Sequence, residues 1–248
     1  MKLLSKNALW AVLFAIVPVY AAAAEGQDKS QKISAVVELF TSQGCSSCPP
    51  ADALLKSYVD RPDVLALTFP VDYWDYLGWK DTLASPKYSQ RQRQYAKTRG
   101  DGAVYTPQVV INGRAHAVGS RKKIIDKSIM AISRLSPMDA PIQVAQENGT
   151  FVINIGGQTA ADDAVATVWI AVVEKAATVE IKRGENSGRE ITYYNVVREL
   201  SPVGMWAGKP KAIRLSPDAM NIAKSNACAI LVQQGKGGPI IGAAWLEM

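Results

Sequence analysis

Histidine is nearly absent from this 248-residue chain, with His116 alone, and cysteine is scarce, at Cys45, Cys48 and Cys228. An odd and small number of cysteines argues against a fold stapled by several disulfides. One pair with one left over fits a redox site better. Only one four-ligand metal set can be assembled, Cys45, Cys48, His116 and Cys228, and its second half lacks the close spacing of a structural zinc site. No metal or other cofactor is expected. Long apolar runs are missing too. Ala8 to Tyr20 is apolar but shorter than the roughly 20 residues a bilayer needs, and Pro18 interrupts it. Basic residues are in excess, for a net charge of +6, yet they are scattered, with Arg121-Lys122-Lys123 the one tight run. No stripe of aromatic and basic residues accompanies it, so nucleic-acid binding has no support.

What is present begins with an export signal. Lys2 and Lys6 precede the apolar segment, and Ala22-Ala23-Ala24 offers the small residues that signal peptidase cleaves, with cleavage after Ala24. No cysteine stands there to carry a lipid, so no stable membrane anchor is expected after cleavage. A periplasmic or secreted protein is the reading that follows.

Cys45-Ser46-Ser47-Cys48 is followed directly by Pro49-Pro50. Ile33 to Phe40 reads as a buried strand, Thr41 to Gly44 as a tight loop, and Ala51 to Tyr58 as a helix. Cys45 therefore stands where a strand hands over to a helix N-terminus, whose dipole and free N–H groups favour a thiolate. Val64 to Val71 is a second strand, and a partly helical segment follows from Asp81 to Lys97. Val109 to Ile111 and Arg114 to Val118 flank Asn112-Gly113 as a hairpin. Ser120 is a candidate N-cap for a helix reaching about Arg134. Ser136 to Pro141, with two prolines, reads as a linker.

Beyond the linker the pattern changes. Ile142 to Gln146 and Thr150 to Ile155 flank Asn148-Gly149, and Val165–Glu174, Val179–Lys182, Ile191–Leu200, Ala212–Leu215, Ala227–Gln233 and Pro239–Leu246 are further strands. A short helical turn is possible near Asp218 to Lys224. These strands predict an all-β, sandwich-like module over residues 142–248.

Three segments carry a family resemblance: Glu38 to Asp52, Val71 to Asp81, and Tyr105-Thr-Pro-Gln108, with Gly184-Glu-Asn-Ser-Gly188 matching as well. On these the chain resembles domain-of-unknown-function family 1223, exported bacterial proteins without an established substrate. Residues 33–135 look like an α/β thioredoxin-like domain, a central mixed sheet flanked by helices, with a helical insertion. The resemblance implies a disulfide between Cys45 and Cys48, Cys45 attacking and Cys48 resolving. Pro107 is then the cis proline opposite the pair, and Thr106 and Tyr105 the segment meeting a substrate strand. Glu38, seven residues before Cys45, either moves the proton of the resolving thiol or is a strand-end residue reaching solvent. Asp72, Trp74 and Trp79 follow the second strand, at the sheet edge that carries the cysteines, as candidates for a substrate groove. The Ser46-Ser47 pair brings no positive charge to the thiols. The expected activity is thiol-disulfide exchange with protein thiols or disulfides through a redox partner left open. A ligand- or partner-binding protein with a structural disulfide is the rival.

Overall fold

The computed structural model describes residues 32–147, 150–157, 165–216 and 227–247. The segment over residues 1–24 expected to be an export signal, the expected turn at Asn148-Gly149 and the segment from Asp218 to Lys224 lie outside them. Among the described residues no helix is long and apolar enough to cross a membrane.

The first half builds β1 (Ala35–Thr41), α1 (Pro49–Val59), β2 (Val64–Pro70), α2 (Pro86–Arg99), β3 (Gln108–Ile111), β4 (Ala115–Val118) and α3 (Lys122–Leu135). The second half adds β5 (Ile142–Glu147), β6 (Thr150–Ile155), β7 (Ala166–Ile181), β8 (Arg189–Trp206), β9 (Lys211–Leu215), β10 (Ala227–Gln234) and β11 (Ile240–Glu247). β1 and β2 are parallel, while β3 runs antiparallel to β1 and turns into β4. Asn112 and Gly113, at φ of 47° and 67°, supply the left-handed turn between them that their residue types allow.

The expected architecture, an α/β domain followed by a separate β-sandwich, is corrected here. Among the described residues one eight-stranded mixed sheet runs through both halves in the order β11-β10-β7-β8-β2-β1-β3-β4. The junction is a parallel bridge between Thr68 of β2 and Val196 of β8. Thr68 Oγ1 donates to the Tyr194 carbonyl at 2.6 Å, and Asn195, at φ 47°, donates from Nδ2 to the Ala66 carbonyl at 3.0 Å. Thus β2 has neighbours on both sides and its seven residues are all buried. A run buried on both faces is what its apolar sequence, Val-Leu-Ala-Leu-Thr-Phe-Pro, is suited to.

The cores confirm the join. On one face Val36, Phe40, Leu67 and Tyr95 of the first half pack in the same cluster as Val173, Val197 and Leu231 of the second. On the other face α1 and α3 cover Val37, Leu39 and Ile111, while the small sheet β5-β6-β9 covers Val168, Ile170, Ile230 and Val232. Cys228 lies in this second core, where it packs as a small apolar side chain.

Candidate functional site

The turn after β1 folds on itself, with Cys45 N–H donating to the Ser42 carbonyl and Cys48 N–H to the Cys45 carbonyl, each at 3.1 Å. Cys48 occupies the N-cap of α1 and Pro49 its first turn, where no amide hydrogen is needed. Cys45 and Cys48 are joined as a disulfide across a Cα–Cα distance of 5.4 Å, a separation that the bond accommodates. Both are nearly solvent-free, at 3% and 0% exposure.

Gln43 is the hub that shapes this loop. Its amide N–H donates to Asp81 Oδ2 at 2.8 Å, and its Oε1 accepts from Trp79 Nε1 at 2.7 Å and from the Thr82 amide at 3.2 Å. Its carbonyl, like that of Cys45, accepts from Asn186 Nδ2, at 2.9 Å each. Trp74 supplies a second wall. Its Cβ would lie 3.1 Å from a Cβ built on Gly44, and its Nε1 donates to Thr106 Oγ1 at 2.7 Å. Trp74 thereby ties the disulfide loop to the Thr106–Pro107 peptide, which is cis. Pro107 and Ala51 of α1 both face Gly119, where an added Cβ would meet them at 3.1 and 2.9 Å. Tyr76, 75% exposed, stacks on Trp74 with ring centroids 6.3 Å apart.

The remaining sequence-derived residues take other positions. Asp72 caps inward, accepting a short hydrogen bond from the Ser89 hydroxyl of α2. The Tyr105 hydroxyl meets His116 Nδ1 at 2.8 Å, and His116 Nε2 stands 3.2 Å from Asp101. Among the described residues no group of three metal-ligating side chains converges, and His116 and Cys228 do not join the cysteine pair. Glu38 is neither at solvent nor beside the thiols. It alternates with Val37 and Leu39, so it faces α2 while those neighbours face α1. There Arg91 Nε donates to Oε1 at 2.8 Å and the Tyr95 hydroxyl makes a short hydrogen bond to Oε2.

The buried carboxyl on the disulfide's own helix is Asp52. It follows Cys48 by one turn and so shares its helix face. Burial pushes its carboxyl up to about 8, against the lowering effect of the Thr41 hydroxyl, which donates to Oδ1 at 2.6 Å, and with a further push from Asp81. Its other oxygen, Oδ2, has no hydrogen-bond partner among the described residues. Asp81 is likewise raised by burial, to about 6, although it accepts amide hydrogens from Gln43 and Leu83. The Tyr193 hydroxyl of β8 is raised by burial and by both of these carboxyls. Asp52 and Asn186 both stand inside the segments that carry the resemblance. Their helix and loop positions were readable, but their partners come from parts of the chain far away in sequence.

A disulfide at the head of a helix, with a tryptophan against its loop and a hairpin from the second half bonded to that loop, defines a mixed-sheet protein with one compact cysteine site. Residues 36–233 match the family described as Protein of unknown function (DUF1223), and the chain belongs to that family. Among solved structures it is similar to the X-ray structure of protein AGR_C_4864 from Agrobacterium tumefaciens. Identity is 35% and the TM-score 0.78, over 87% of this chain and 95% of that one. It also resembles HBP35 of Porphyromonas gingivalis in fold, with a TM-score of 0.59 at 12% identity, over 88% of this chain and 76% of that one. No curated protein matches the chain.

Proposed function

We propose that the protein is an exported thiol-disulfide oxidoreductase acting on protein thiols, of thioredoxin-like character, with Cys45 and Cys48 as its redox pair. The observation that carries this reading is the placement of the disulfide at the N-terminus of α1 with a buried carboxyl, one oxygen of which has no hydrogen-bond partner among the described residues, one turn further on. A substrate thiolate attacks Cys45 Sγ. A bond forms from the substrate sulfur to Cys45 as the Cys45–Cys48 bond breaks, and Cys48 leaves with the electron pair. Asp52, protonated near neutral pH, supplies the proton that the departing thiolate takes up. A second substrate thiolate then attacks the substrate sulfur of the mixed disulfide, forming the substrate disulfide and releasing Cys45 as a thiolate, so two electrons pass to the protein. The two protons that the substrate thiols gave up to solvent are regained from it at Cys45 and Asp52. The reverse sequence reduces a substrate disulfide. Thr106 and Tyr105, preceding Pro107, offer backbone groups to an extended substrate, and Trp74 with the exposed Tyr76 offers it an aromatic wall. Export through residues 1–24 belongs to the same reading, because disulfides persist in oxidising compartments.

A second reading is favoured by one observation, the near-complete burial of both cysteines. A disulfide so enclosed suits a structural staple in a binding protein. The reduction potential of the purified protein separates the two. A value between roughly −270 and −120 mV, with exchange against glutathione, supports the oxidoreductase; a value below about −300 mV supports the staple. In cells, Cys48→Ala is expected to accumulate covalent mixed disulfides through Cys45. Their absence at background level sinks the oxidoreductase reading.

A further inference from the structure

Ser46 and Ser47 are exposed, yet the cysteines on either side of them are not. Part of what closes the site comes from the far half of the chain. β7 and β8 extend past the rest of the sheet. Among the described residues, β7 pairs from Glu174 to Ile181 with β8 alone, β10 pairing with it no further than Val173. The distal arm is therefore a two-stranded ribbon, a unit with little independent stability. It is seated by contacts of Tyr193, Ala177 and Val196 with Leu83.

At its tip, Ser187 N–H donates to the Gly184 carbonyl at 3.1 Å and Gly188 N–H to the Ile181 carbonyl at 2.8 Å. Gly184 and Gly188, both at φ 78°, bracket the turn in a conformation that side chains resist. The tip is thus a closed unit held by its own bonds. It touches the disulfide loop through two residues. Asn186, fully buried, holds the Gln43 and Cys45 carbonyls through Nδ2. Glu185, exposed, accepts from the Ser46 amide at 3.2 Å. The Asn186 Oδ1 is buried without a hydrogen-bond partner among the described residues. Lifting the tip returns that oxygen to water and offsets part of what the lost bonds contributed. The closed arrangement is therefore poised to open.

We infer that the β7–β8 arm is an intramolecular cover over the disulfide, and that Asn186 is the specificity-determining residue that decides which thiols reach Cys45. The inference rests on the oxidoreductase reading for its biological meaning, though not for its test. With the tip seated, a thiol carried on a folded protein is kept from the Cys45 sulfur. With the tip lifted, an extended protein segment gains the space along the Gln43–Ser46 backbone, beside Trp79, that the tip had occupied.

The test follows reduction of the oxidised protein by two probes, dithiothreitol and reduced thioredoxin. Asn186→Ala is expected to speed reduction by thioredoxin about tenfold, the equivalent of the two hydrogen bonds removed, and reduction by dithiothreitol by less. Glu185→Ala, at an exposed position, is expected to act in the same direction more weakly. Rates unchanged from wild type in both variants overturn the inference. Amide exchange is expected to quicken over residues 178–192 alone; equal acceleration in β1 and β2 signals general loss of structure and overturns it too. If Asn186→Ala opens access in this way while no protein substrate is oxidised or reduced, the cover stands and the oxidoreductase reading falls.

Discussion

Arg91 reaches Glu38 across the interior of the protein, Nε to Oε1 at 2.8 Å, with side-chain exposures of 5% and 0%. The same guanidinium donates to Gln233 at 3.0 Å and to the Tyr95 hydroxyl at 2.7 Å, so an ion pair from β1 and α2 is tied to β10. Removing one partner leaves the other charged and buried without compensation. Arg91→Ala is expected to destabilise the fold by about 3–5 kcal/mol, read from the denaturant midpoint. A loss below about 1 kcal/mol would mean that the pair is solvated and that this description of the interior is wrong.

Asp52 gives the protein a pH dependence of definite sign. Its folded value, about 8, lies above its ordinary value of 3.8, so the folded state holds the proton that the unfolded state has released. Its contribution to stability is greatest below the ordinary value and falls as pH rises towards 8, at up to about 1.4 kcal/mol per pH unit. Asp81, raised to about 6, adds the same trend over a narrower window. Asp52→Asn should therefore gain on wild type steadily as unfolding is repeated from pH 5 to pH 7.5. A constant difference between the two proteins across that range would show that the carboxyl is ionised throughout.

Asp52→Asn also bears on the proposed exchange. The wild-type rate with a protein disulfide is expected to depend on a group titrating near the raised value of Asp52, and that dependence should vanish in the variant while the Cys45 alkylation rate is kept. Loss of both together would point to a disturbed loop instead.

Trp74 holds Thr106 by one hydrogen bond of 2.7 Å and stacks on Tyr76. Trp74→Phe removes the bond and keeps much of the ring. A cost of about 1 kcal/mol in stability is expected, together with a several-fold rise in KM for a protein substrate at nearly constant kcat. A fall confined to kcat would move Trp74 from substrate contact to the chemistry itself.

Gly119 is a packing point in which space, and no unusual backbone, demands glycine. A Cβ there would meet Ala51 and Leu39 at 2.9 Å and Pro107 at 3.1 Å. Gly119→Ala is expected to cost about 1–3 kcal/mol by forcing α1 away from the Pro107 segment. Wild-type stability in calorimetry would show that these elements yield freely.

Much of this was legible in the residues themselves. The strands β1 and β2, the β3–β4 hairpin and all three helices follow from apolar spacing and from Asn-Gly and proline signals. The cysteine pair lies in the turn that its sequence announces. What was not legible is what brings distant segments together. The bond from Thr68 to Tyr194 spans 126 residues and leaves no local mark, so residues 33–135 read as a domain apart from the strands that follow. Ser136 to Pro141 read as a boundary because prolines break regular structure. In the fold, the Ala140 amide donates to the Ile241 carbonyl of β11 at 3.0 Å and seats that segment on the sheet. β7 read as two strands because Lys175-Ala-Ala177 lacks β-branched residues, yet pairing with β8 carries it through. Glu38 was visible as a carboxylate near the thiols in sequence. The pleat of β1 turns it to the opposite face, and that depends on which helix covers which side.

The latch on the disulfide loop comes from a residue 141 positions beyond Cys45. Contacts of such separation form late, because a long loop must close before they contribute. On a chain that emerges amino-end first, the cysteines are available to oxidants well before Asn186 exists to seat over them. The site is thus open during synthesis and closed at maturity, and the disulfide can be installed by outside chemistry that the finished protein admits only on release of its own hairpin.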